Sequence, residues 1–120
     1  MDIKSAAMSA TNETTRLILN YLFEHRIFAK RHGVSSGPAQ YTDKHGNTKQ
    51  RYVHAGITGG ADIFGWLPPH ARGFGIEIKT GRDRLRPEQI GFQRNLELMG
   101  GIYLVVHNFE DFVDQWQKIS

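Results

Sequence analysis

A chain of 120 residues, 39% hydrophobic and 22% charged, has enough length for one core and little room for a second. A net charge of +3 and a pI near 9.4 favour a polyanionic partner over a cationic one. The absence of cysteine excludes disulfides, thiolate zinc sites, iron–sulfur clusters and a cysteine nucleophile, and no apolar run approaches the roughly 20 residues that span a bilayer.

The N-terminal stretch MDIKSAAMSATNETT lacks the apolar centre of a secretion signal, so a soluble intracellular protein is expected, with residues 1–8 disordered. From about Ser9 to His25 the apolar positions Leu17, Ile18, Tyr21 and Leu22 recur at helical spacing, with Thr11 or Asn12 as the N-cap. RIFAKRHGVSS then predicts a short strand running into a turn. GPAQYTDKHGNTKQRYVHAG predicts a β-hairpin or a long loop, because Gly-Pro and Gly-Asn are turn formers between polar arms.

GGADIFGW predicts a strand of four or five residues that Pro68 and Pro69 cannot continue. FGIEIKT predicts the next strand, and GRDRL a turn. A helix opens at Pro87, which suits the first helical position, and closes at Gly100, which suits a left-handed cap. IYLVV is apolar throughout, so a central strand buried on both faces is expected. FEDFVDQWQKI is a final amphipathic helix with Phe109, Phe112, Val113 and Trp116 on its apolar stripe. The strand–helix–strand crossover through Pro87–Gly100 makes FGIEIKT and IYLVV parallel neighbours or near neighbours. The expected fold is a small mixed α/β sheet flanked by helices, in one domain spanning residues 1–120.

Chemistry concentrates in GIEIKTG. Ile76 and Ile78 alternate with Glu77 and Lys79, so a carboxylate and an ammonium share one strand face opposite two isoleucines. Asp62 lies upstream with 14 residues between it and Glu77, a span that a hairpin can fold so that the two carboxylates meet. Two carboxylates at close range repel unless a cation sits between them. Mg²⁺ or Mn²⁺ is the expected ion, held by carboxylate oxygens, a backbone carbonyl (that of Ile78) and waters. Lys79 would then orient a water or offset charge at a phosphate. The same residues also admit plainer roles. Glu-x-Lys on a strand is often a solvated ion pair worth about 0–1 kcal/mol, and Asp62 beside two glycines suits a turn.

The ordered set of a helix bearing a glutamate, GGAD, EIK, and RLRPEQIGFQRNLELMGGIYLVV resembles the PD-(D/E)XK nuclease superfamily, and within it the VRR-NUC family. The resemblance covers about residues 9 to 107. It implies a restriction-endonuclease-like core and a Mg²⁺- or Mn²⁺-dependent deoxyribonuclease. Asp62 and Glu77 would be metal ligands, Lys79 the catalytic lysine, Gln89 the glutamine of the following helix, and Glu13 the acidic residue of the first helix, acting directly or through water. Glu13 lies one turn before Leu17, which suits the inward edge of that helix; a helix-start glutamate favoured by the helix dipole is the alternative. Gln89 shares a helix face with Phe92 and Leu96 and needs a partner, either at the Glu-x-Lys strand or at the helix start.

The resemblance further implies branched DNA such as Holliday junctions as substrate, a homodimer, and no nucleotide cofactor. A catalytically silent DNA-binding module with the same fold is the alternative. Lys30 and Arg31 after the first helix, Arg51 at the hairpin, and Arg82, Arg84 and Arg86 after the Glu-x-Lys strand are candidate phosphate contacts. The six histidines show no metal-ligand spacing, and His70, between the two acidic strands, has two readings: an approach to substrate, or the commoner one of an incidental loop position. Trp66 with Pro68-Pro69 is read as a loop patch: a dimer contact, a surface for bases, or local packing.

Overall fold

The first helix, α1, runs Ile3–Glu24 and buries a stripe through Thr15, Ile18 and Leu22, the last two fully inaccessible. It begins six residues earlier than the Ser9 start expected. Three alanines and a methionine in KSAAMSA are good helix formers, and nothing in that stretch breaks a helix. Thr11 and Asn12, read as caps, are interior positions: the Thr15 hydroxyl donates to the Thr11 carbonyl (2.8 Å), and Asn12 Oδ1 accepts from Arg31 (2.8 Å). The computed structural model describes residues 3–32, 37–53 and 59–119. Of the eight residues expected to be disordered, 1 and 2 therefore lie outside the described ones, and the backbone of 3–8 is helical.

The remaining elements follow in chain order as β1 (Phe28–Arg31), β2 (Gly37–Thr42), β3 (Thr48–Val53), β4 (Ile63–Leu67), β5 (Arg72–Ile78), α2 (Pro87–Leu98), β6 (Ile102–Val106) and α3 (Phe109–Ile119). Strands β2 and β3 form the expected hairpin as a separate two-stranded ribbon. The four others form a mixed sheet in the order β1-β4-β5-β6, antiparallel except for the parallel β5–β6 pair that the α2 crossover demands.

IYLVV forms β6 at the edge of this sheet, not at its centre; β5 and β4 are the inner strands. Its apolar run is explained by helices instead of neighbouring strands. On one face Tyr103 meets Phe92 of α2, with ring centroids 6.2 Å apart. On the other, Leu104 and Val106 belong to the same core as Phe112 and Trp116 of α3. The carbonyl of Val105 accepts from the Gln115 side chain at 2.9 Å, so α3 also satisfies part of that edge.

The main core lies between the sheet and the α1/α3 layer. Phe74, Ile76 and Ile78 of β5 join Ile63, Ile18, Leu22, Phe112 and Trp116, and the Phe74 and Trp116 rings meet edge to face at 5.1 Å. Alternation along β5 therefore sends Gly73, Gly75 and Glu77 to the opposite face, under α2. The pairings Phe64↔Gly75 and Trp66↔Gly73 put those two aromatics of β4 on that face as well. Trp66 is thus a strand residue and not part of the Pro68–Ala71 turn. No helix among the described residues is long and apolar enough to cross a membrane.

Candidate active site

The register of the β4–β5 hairpin determines the site. Ile63 pairs with Ile76, so one further step brings Asp62 across from Glu77. The Asp62 carbonyl accepts from the His32 amide (2.8 Å), which extends the β1–β4 pairing to this residue. Its carboxylate Oδ2 accepts from the Ile78 amide at 2.8 Å. Asp62 is therefore held to the end of the Glu-x-Lys strand by its own side chain, and is not a free turn residue.

Glu77 is 4% exposed, which removes the solvated-pair reading of its strand face. Its Oε1 accepts from the Gln89 side-chain amide (2.9 Å) and lies 3.7 Å from Lys79 Nζ. Its Oε2 is buried and has no hydrogen-bond partner among the described residues. Burial, and then the negative charge of Asp62, push the Glu77 carboxyl up to about 7, with the Lys79 ammonium pulling the other way. A buried carboxylate oxygen without a donor is costly, which is why such atoms are seldom left so. The Asp62 charge is close enough to raise the pKa of this carboxyl, and a cation between the two would satisfy both.

Gln89 fills both roles considered for it. Its side-chain oxygen accepts from the Arg86 amide (2.8 Å) at the start of α2, and its NH₂ holds Glu77. Arg86 occupies the N-cap without the hydroxyl that favours that position, so Gln89 supplies the bond from inside the helix. Gly59, at φ +74°, lets the chain pass directly against the Glu88 backbone, where a Cβ would collide. That close approach seats the first turn of α2 beside Asp62. Lys79 has a side chain 13% exposed; its amide donates to the Val106 carbonyl (2.9 Å) and its carbonyl meets His107 Nδ1 (2.8 Å).

These groups line an open, polar cleft of about 500 Å³. Asp62, Glu77, Ile78, Lys79, Gln89, Arg84 and Arg86, all proposed from sequence, are in its wall. Arg86 also lies 3.3 Å from Glu88. Glu13 is not brought there. It is exposed on α1 and paired with Arg16 at 2.6 Å, and that guanidinium holds its carboxyl below the usual range. The α1 residue that lines the cleft is Thr11, two positions earlier and so roughly 200° away around the helix. Arg82 is exposed on the turn outside this wall, Lys30 and Arg31 lie on β1, and the side chain of Arg51 is outside the described residues. His70 sits in the β4–β5 turn, at the opposite end of the hairpin from Asp62 and Glu77.

Three contributors were missed from sequence. Thr11 and Asp83 carried no pattern that separates them from cap and turn residues. Tyr103 lies in an apolar run, yet its hydroxyl is buried with no hydrogen-bond partner among the described residues, and burial followed by the Glu77 and Asp62 charges pushes its pKa above the ordinary phenol value. The phenol therefore keeps its proton, with the Glu77 and Asp62 charges near enough to disfavour its ionised form. The register could have found it, since Tyr103 pairs with Gly75, two residues before Glu77 on the same face.

No group of three or more His, Cys, Asp or Glu side chains among the described residues converges as a metal cage. Two carboxylates and a backbone carbonyl instead fit the way Mg²⁺ is commonly bound, through one or two carboxylates with several waters retained. No protein-family model matches the chain, and no curated protein sequence matches it.

Proposed function

We infer that this chain is a deoxyribonuclease that hydrolyses phosphodiester bonds with Mg²⁺ or Mn²⁺ held by Asp62, Glu77 and the Ile78 carbonyl. The observation that carries this reading is the unpartnered, buried Oε2 of Glu77 beside Asp62, at the bottom of a cleft with arginines on its wall. The ion, when bound, supplies Lewis-acid stabilisation of charge at phosphorus. Lys79 offers an ammonium to the phosphate or to the attacking water. Gln89 is a positioning residue that fixes the rotamer of Glu77. Arg84 and Arg86 hold flanking phosphates, a contact that gives affinity without base readout.

The resemblance to VRR-NUC nucleases supports the same reading and extends it to a restriction-endonuclease-like core, to branched substrates such as Holliday junctions, and to a homodimer. Labelled duplex, flap and four-way-junction DNA, incubated with Mg²⁺, Mn²⁺ or chelator, tests it. Cleavage that survives chelation, or persists in both Asp62→Asn and Lys79→Ala, refutes the mechanism.

A second reading is a silent DNA-binding module. It is favoured by one observation: Glu13 turns to Arg16 and does not join Asp62 and Glu77. Salt-sensitive DNA binding with no cleavage under any of these conditions would establish it.

A further inference from the structure

Helix α2 lies over β5 and β6 and, among the described residues, leaves the β1–β4 half of the same sheet face open. The alternation that places Asp62 on this face continues along β4 to Phe64 and Trp66. The pairings Phe28↔Trp66 and Lys30↔Phe64 add two residues of β1. Phe64 meets Trp66 edge to face at 5.8 Å, and Phe28 lies 5.4 Å from Trp66. Both outer rings are open to solvent, Trp66 at 40% and Phe28 at 71% exposure. Between this aromatic row and Phe92 and Leu96 of α2 runs an apolar groove of about 370 Å³, floored by Gly73, which has no side chain to fill it.

Gly60 lines both this groove and the polar cleft, so the two adjoin. We propose that the groove receives unpaired bases of the nucleic-acid strand whose backbone occupies the cleft, with Trp66 and Phe28 as stacking surfaces and Lys30 at a backbone phosphate. Bases present an apolar face on a charged backbone, which matches an aromatic row that carries an ammonium and adjoins an arginine-lined cleft. A protein partner fits less well, because lysine is depleted in the dry centre of protein interfaces, and Lys30 here stands directly across from Phe64. The proposal rests on the nuclease reading only for the identity of the cleft's occupant.

The test is binding of a short oligo(dT) in chelator, where no cleavage is expected. Trp116 is 3% exposed, so quenching on binding reports Trp66. Quenching is expected, together with an affinity about tenfold lower in Phe28→Ala and in Trp66→Ala, and a similar loss when abasic sites replace the bases. Phe28 is exposed enough for its alanine variant to fold, which thermal unfolding checks. Equal affinity of wild type and both variants, with no quenching, overturns the proposal. So does a dimer that Trp66→Ala converts to monomer by light scattering while oligonucleotide affinity is unchanged, since the face then belongs to a second copy. Quenching without cleavage on any substrate refutes the nuclease reading and leaves the groove standing; cleavage without quenching does the reverse.

Discussion

Replacing Glu77 by glutamine should make the metal-free protein more stable above neutral pH, and leave it unchanged below pH 5. The carboxyl titrates near 4.5 when unfolded and at about 7 in the fold. Below about pH 4.5 it carries a proton in both states and contributes no pH dependence. As pH rises the unfolded chain ionises first, while the folded chain retains its proton until about 7. The folded state therefore binds more protons across this window, and stability falls as pH rises. At about 1.4 kcal/mol per pKa unit, the loss by about pH 8 is on the order of 3 kcal/mol. The substituted amide keeps an oxygen for the Gln89 donor, and the pull of the Lys79 ammonium at 3.7 Å is already contained in the folded value of about 7, so the net gain for Glu77→Gln should be on the order of 3 kcal/mol at pH 8.

Urea unfolding of both proteins in chelator, followed at several pH values, measures this directly. The difference between the two cancels the contributions of all other groups. Adding Mn²⁺ at about pH 8 should restore the wild type, by about 2.7 kcal/mol at one hundred times the dissociation constant, and should do little for the variant. A wild-type minus variant difference that is flat from pH 5 to 8, or a variant less stable at every pH, would refute the account of Glu77 as a carboxylate awaiting a cation.

Asp62→Asn should abolish Mn²⁺-induced stabilisation as well as cleavage, read by thermal shift and by gel. The side-chain oxygen of the asparagine can still accept from the Ile78 amide, so the fold should survive, and a collapse of the apparent melting temperature in chelator would contradict that role. Gln89→Ala removes the donor to Glu77 and the acceptor of the Arg86 amide together; about 1–3 kcal/mol of stability should be lost, with weakened metal affinity, both by titration. Glu13→Gln should leave the metal dissociation constant unchanged within error, and a loss of tenfold or more would put Glu13 back at the cleft. Gly59→Ala should displace α2 and cost several kcal/mol by urea unfolding, because a Cβ there meets the Glu88 backbone.

Much of the site was readable because it is local. Alternation alone separates Ile76 and Ile78 from Glu77 and Lys79, and the pairing of Ile63 with Ile76 follows from the spacing of a short hairpin. Gln89 was legible because one helix turn relates it to Phe92. The misplacements all involve azimuth or tertiary order. Glu13 was assigned by the resemblance, with support from its distance to Leu17, a half-buried residue, whereas the buried stripe runs Thr15, Ile18, Leu22 and excludes it. The edge position of β6 was hidden because two helices can bury an apolar strand as well as two strands can. Trp66 was assigned to a loop because the prolines after it dominate the local pattern, although the strand continues through Leu67.

The double bond made by Gln89 has a further use. One side chain joins the backbone amide of Arg86 to the carboxyl of Glu77, so the lifetime of that amide proton depends on whether Glu77 is held. Hydrogen exchange at Arg86 should slow when an ion or a phosphate locks the carboxyl, and quicken when the carboxyl is released. A single amide resonance at the start of α2 then reads the occupancy of the cleft without turnover, without a label, and equally in a catalytically dead variant that keeps Glu77.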